Sequence, residues 1–188
     1  QDTLLAASVI TAIWQLVAYI DTEKYKYLVG SSFFLALAML AKGPIGLMLP
    51  VLALGSHFLL KRQWHIFVKW QWFLVFVLVM LFLLPMLLGL YQQFGWHGIQ
   101  FYFWEQSFGR ITGGNMWKDD TSYFFFLHTF LWAFLPFTLW ALAAVTKNIY
   151  YLFKNKCRSN SLHEAITLGG TVLPFAVLSL SHYKLPHY

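Results

Sequence analysis

Five charged residues stand at the margins of apolar stretches in this chain: Asp2, Lys42, Glu105, Arg110 and Lys184. Their types divide into two carboxylates, able to take a proton or hold a cation, and three cations, able to meet a phosphate. The planar fork of Arg110 matches a phosphate with two parallel hydrogen bonds, whereas Lys42 and Lys184 offer point charges. A carboxylate that opens an apolar span, as Asp2 does, calls for a cavity, a partner or a cation, or else it caps the helix that follows. Glu105 suits an apolar cleft or a hydrogen bond to a neighbouring helix. Each cation also has an ordinary alternative: Lys42 and Lys184 can extend their ammonium groups from a helix end toward water, and Arg110 can meet generic lipid headgroups.

Other chemistries find little support. His182 and His187 flank Lys184 but are five residues apart, a poor spacing for shared metal ligation on a helix, and His57, His65, His97, His128 and His163 form no ligand pattern. Asp119 and Asp120 precede an apolar run and read as a helix cap. The single cysteine, Cys157, permits no internal disulfide and no four-cysteine zinc framework. No His-Glu-x-x-His, phosphate-binding P-loop or dinucleotide glycine fingerprint occurs.

The elements that must position these residues are set by composition. The chain of 188 residues is 59% hydrophobic, 20% aromatic and only 11% charged, against roughly a quarter charged in soluble domains. A bilayer core of ~30 Å takes about 20 apolar residues as a helix. Six candidate spans follow, at about 3–20, 27–41, 44–60, 70–91, 122–146 and 165–181. Residues 27–60 are one apolar run broken only by Ala41-Lys42-Gly43-Pro44-Ile45-Gly46. Unbroken, that run would make a helix about 50 Å long, so two short helices are expected, with Gly43 permitting the turn and Pro44 removing a backbone donor. The expected fold class is all-α, a polytopic transmembrane helical bundle with an external amphipathic helix lying in the interface.

Charge distribution supports that division, because Lys and Arg collect in cytoplasmic loops. Six spans place nine cations on one side (Lys24, Lys26, Lys61, Arg62, Lys69, Lys147, Lys154, Lys156 and Arg158) and four on the other (Lys42, Arg110, Lys118 and Lys184). The net charge of +6 therefore reads as membrane topology rather than as a nucleic-acid surface. Asp2, the Lys42 break, the loop 92–121 and Lys184 all fall on the non-cytoplasmic face. Within that loop Phe101, Trp104, Phe108 and Ile111 recur at helical spacing as an aromatic stripe, with Arg110 nearly opposite and Gly113-Gly114-Asn115 as the stop.

Four stretches in order, Asp2 before the first span, "LAKGPIGLMLPVLAL", "FYFWEQSFGRITGG" with "SYFFFLHTFLWAFLPFTLW", and "SLSHYKLPHY", resemble the family C membrane glycosyltransferases, in particular the group that includes protein O-mannosyltransferases and lipid A aminoarabinose transferase. The resemblance implies one transmembrane domain over residues 1–188, with the family's N-terminal catalytic loop and C-terminal region outside this sequence. It implies transfer of a sugar from a polyprenyl-phosphate donor to a lipid A, glycan or protein acceptor, on the external side of a bacterial inner membrane. Asp2 resembles an acidic position near the active site, where a divalent metal ion is the expected ligand. Glu105 is similar to the loop's acidic position, and Lys42, Arg110 and Lys184 resemble the basic lining of the lipid phosphate. No nucleotide or redox cofactor and no nucleic acid are expected. A transporter or flippase, or a non-catalytic membrane subunit, would account for the same spans with charges lining a path or merely setting topology.

Overall fold

The computed structural model describes residues 2–60, 69–105, 125–154 and 162–179, and among these every regular element is helical. In chain order they are α1 (Asp2–Thr22), α2 (Tyr25–Lys42), α3 (Ile45–Leu60), α4 (Trp70–Gln100) followed by a π-helical turn (Phe101–Glu105), α5 (Phe125–Ala133), α6 (Thr138–Lys154) and α7 (Leu162–Ser179). Two are long and apolar enough to cross a membrane, Asp2–Thr22 and the continuous stretch Trp70–Glu105, while Ile45–Leu60 and Ala165–Val177 are shorter apolar helices. The structure thus has the expected all-α class.

The chain forms two compact units, one of residues 1–51 and 63–108, the other of residues 52–62 and 109–188. In the first unit, α1 buries Leu5, Ser8, Val9, Ala12, Leu16 and Val17, positions that recur at intervals of three and four, and α2 buries Leu28, Ser31, Ser32, Leu35, Ala36, Ala38 and Met39. Many of these are small, whereas large residues such as Ile10 (67% exposed) and Trp14 (61%) point outward. In water that pattern would be costly. In lipid it is the expected one, because the surroundings are as apolar as leucine and helices associate by close backbone approach between small side chains. The buried hydroxyls are satisfied within the helix: Ser31 and Ser32 both donate to the Leu28 carbonyl at 2.8 Å. Helix α4 completes this unit with Val75, Val79 and Leu83, one per turn, and Phe82 meets Phe33 of α2 edge to face at 5.4 Å between centroids.

Two glycines shape the unit's turns. Gly43 has φ 76°, ends α2 with its N–H donating to the Met39 carbonyl, and lets α3 start two residues later. Gly95 (φ 61°, ψ −151°) lies in a region that only glycine enters at little cost, and it bends α4 sharply before Trp96. The helix therefore runs past residue 91, and its continuation to Gln100 takes a new direction instead of opening a loop.

In the second unit the close approach is between the later part of α3 and α7. A side chain on Gly169 would strike Ser56, and one on Gly170 would lie 3.1 Å from the Ala53 Cβ. Phe130 of α5 stacks on Phe134 and meets Phe175 of α7 edge to face at 5.9 Å. The buried Thr138 hydroxyl donates to the Leu131 carbonyl at 3.1 Å, closing the break between α5 and α6.

Candidate functional site

Asp2 begins α1 and Lys42 ends α2, and antiparallel packing of these helices brings the two together: Lys42 Nζ lies 2.5 Å from Asp2 Oδ1. Each charge also suits its helix end, the carboxylate at an N-terminus and the ammonium at a C-terminus, where the backbone dipoles favour it. The Lys42 side chain is 22% exposed and that of Asp2 66%. A pair this exposed contributes about 0–1 kcal/mol. It holds the ammonium at the end of α2 without locking it there.

The π-helical turn reaches the same corner. Tyr102 Oη donates to the Met39 carbonyl at 2.9 Å, and that oxygen also accepts the Gly43 N–H at 2.6 Å. One carbonyl in the last turn of α2 thereby fixes both the Gly43 turn beside Lys42 and the segment that follows the Gly95 bend. Tyr102 is a residue that the sequence reading passed over; its spacing placed it beside the aromatic stripe, and nothing local marks a contact to a carbonyl 63 residues earlier. We expect Tyr102→Phe to keep the ring packing and lose this tether, at a cost of about 1 kcal/mol. Amide exchange should quicken over residues 96–105 and stay unchanged in the middle of α1.

Glu105 closes the π-helical turn and is half-buried, while Phe101 (52%) and Trp104 (62%) are exposed. The expected α-helical stripe is thus replaced, over these five residues, by a turn with wider i to i+5 hydrogen bonding. Phe108, Arg110, Ile111, the Gly113-Gly114-Asn115 stop and Lys184 lie outside the described residues. Of the five charged candidates, the structure brings Asp2 and Lys42 into contact and places Glu105 three residues after Tyr102.

No group of three or more His, Cys, Asp or Glu suited to a metal ion occurs among the described residues. The Asp2 carboxylate faces an ammonium group, so a cation held there would need ligands from elsewhere in the protein. What the corner can do by itself is present a positive charge, backed by a carboxylate, at the end of an apolar bundle.

Residues 1–88 match the family model described as dolichyl-phosphate-mannose-protein mannosyltransferase, a stretch that contains both Asp2 and Lys42. No curated protein and no solved structure gives a significant match. Over residues 1–88, less than half of the chain, the protein is thus similar to that mannosyltransferase family, and its all-helical build with two long apolar helices among the described residues is compatible with a helical membrane protein.

Proposed function

We propose that this protein transfers a sugar from a polyprenyl-phosphate donor to an acceptor at the external face of the membrane. The family match indicates glycosyl transfer from such a donor in general, and the observation that carries the reading further is the Asp2–Lys42 pair within the matched stretch. In this reaction an acceptor oxygen bonds to the anomeric carbon and the bond from that carbon to the phosphate oxygen breaks, its electron pair leaving with the phosphate. Negative charge grows on the departing lipid phosphate. A positive group already held in place, as Lys42 is, stabilises that charge with little reorganisation. Arg110 and Lys184 are the further cations assigned to the phosphate. A hydroxyl acceptor must also lose its proton, and Glu105 and Asp2 are the carboxylates assigned to take it; a phosphate acceptor, already ionised, would need no base. A metal ion at Asp2 would supply further charge stabilisation when bound.

The acceptor remains one of three classes, namely lipid A, another glycan or a protein, and the family description favours protein. The test is transfer of radiolabelled sugar from a panel of polyprenyl-phosphate sugars by the complete protein in bacterial inner membranes, with Arg110→Ala at matched expression. Wild-type transfer that the variant loses supports the reading. Full activity of Arg110→Ala would return that arginine to the headgroup layer, and no transfer from any donor would remove the transferase reading.

A further inference from the structure

At the other end of the first unit, away from the Asp2–Lys42 corner, α1 ends at Thr22, α2 begins at Tyr25 and α4 begins at Trp70. These three ends surround a shallow pocket of about 40 Å³, floored by Leu28 and Val75 and rimmed by Glu23, Lys69, Gln71 and Trp72. Its size suits one charged group rather than an acyl chain. Glu23 and Lys69 are both exposed on this rim, have opposite charges, and make no ion pair with each other within 4.0 Å among the described residues.

The backbone supplies an independent observation. Glu23 has φ 55° and its N–H donates to the Tyr19 carbonyl at 2.7 Å, so it terminates α1 in the left-handed conformation. Glycine is the usual occupant of such a position, because a side chain there crowds the following carbonyl oxygen. A glutamate at this position, on the rim of a pocket that also presents a lysine, is a local cost of the kind that collects at binding sites.

We propose that this pocket binds the headgroup of a phospholipid with a primary ammonium and a phosphodiester, that is, a phosphatidylethanolamine-type lipid. The ammonium donates hydrogen bonds to the Glu23 carboxylate and the Gln71 carbonyl, and Lys69 takes the phosphate. A quaternary choline headgroup lacks the N–H donors that these acceptors select. A glycerol headgroup would bring the same phosphate to Lys69 but offer Glu23 only neutral hydroxyls, which donate to a carboxylate more weakly than an ammonium does. The pocket sits where the apolar helices α1 and α4 reach their ends, which is the headgroup level of a bilayer that they span. The exposed Lys24 and Lys26 beside it add attraction for a phosphate.

The test is native mass spectrometry of the complete, delipidated protein titrated with phosphatidylethanolamine, phosphatidylcholine and phosphatidylglycerol. The wild type is expected to prefer phosphatidylethanolamine over phosphatidylcholine by about tenfold, the size of one charge-assisted contact. Glu23→Gly should abolish that preference while unfolding no earlier than the wild type, since glycine relieves the backbone. Lys69→Gln should weaken phosphatidylethanolamine and phosphatidylglycerol together. Equal binding of phosphatidylethanolamine and phosphatidylcholine by the wild type would overturn the proposal. So would tighter binding of phosphatidylglycerol, or a preference that survives in Glu23→Gly. The readout is lipid retention, so it is independent of any sugar-transfer activity.

Discussion

Lys42→Ala is expected to lower sugar transfer about 100-fold, the loss seen when one preorganised group facing a developing anion is removed. The fall should appear in kcat, because charge accumulates on the phosphate as the bond to the sugar breaks, whereas a contact equally strong in the bound donor would appear in KM alone. Lys42→Arg keeps the positive charge but changes its shape and reach, and should fall between alanine and wild type. Asp2→Asn separates catalysis from folding. It breaks the 2.5 Å pair with Lys42, yet an exposed pair contributes at most about 1 kcal/mol to stability. The measurement is steady-state transfer by the complete protein, with thermal unfolding of each variant alongside. A Lys42→Ala rate within a factor of about two of wild type would mean that the ammonium serves the helix end and not the reaction.

The second large effect is expected from a single methyl group. A Cβ on Gly46 would lie 2.5 Å from the carbonyl carbon and oxygen of Ala38 and 2.8 Å from the Met39 nitrogen. These are backbone atoms and cannot rotate aside, so α2 and α3 would have to separate at the very turn that carries Lys42 and the Met39 carbonyl. Gly46→Ala should therefore destabilise the protein by about 1–3 kcal/mol, the range for overpacking. Gly55, further along the same helix, provides the comparison: a Cβ there meets nothing within 4 Å, and Gly55→Ala should be neutral or stabilise by up to about 1 kcal/mol through helix propensity. Denaturant midpoints in one detergent would decide it. Equal midpoints for the two variants would show that α2 and α3 do not pack as closely as the structure has them.

The sequence and the structure account for different parts of this corner. The sequence contains the end of α2, since Gly43-Pro44 acts on the local backbone through φ and a missing N–H. It also contains the helical, lipid-compatible character of the chain, which is a matter of composition. The bend at Gly95 was less legible: a glycine within an apolar run allows left-handed φ but does not require it, and Pro85 in the same helix makes no comparable break. The π-helical turn was hidden for the same reason, because Phe101 and Trp104 fit an α-helical stripe equally well on spacing alone.

Contacts between helices were the least legible part, and the reason is the solvent. In a water-soluble bundle the buried face announces itself as an apolar stripe, but around α1 and α2 both faces are apolar, so periodicity says little about which side meets a neighbour. The clue lies in residue size, with Ser8, Ala12, Ser31, Ser32 and Ala38 inside and Ile10, Trp14 and Phe33 outside. What the sequence determined by itself was local: helices, their break at Gly43, and the charged residues at their ends. Only the tertiary structure decided that Asp2 meets Lys42 across forty residues and that Tyr102 reaches Met39, because those partners are set by how closely the small-residue faces allow the helix backbones to approach.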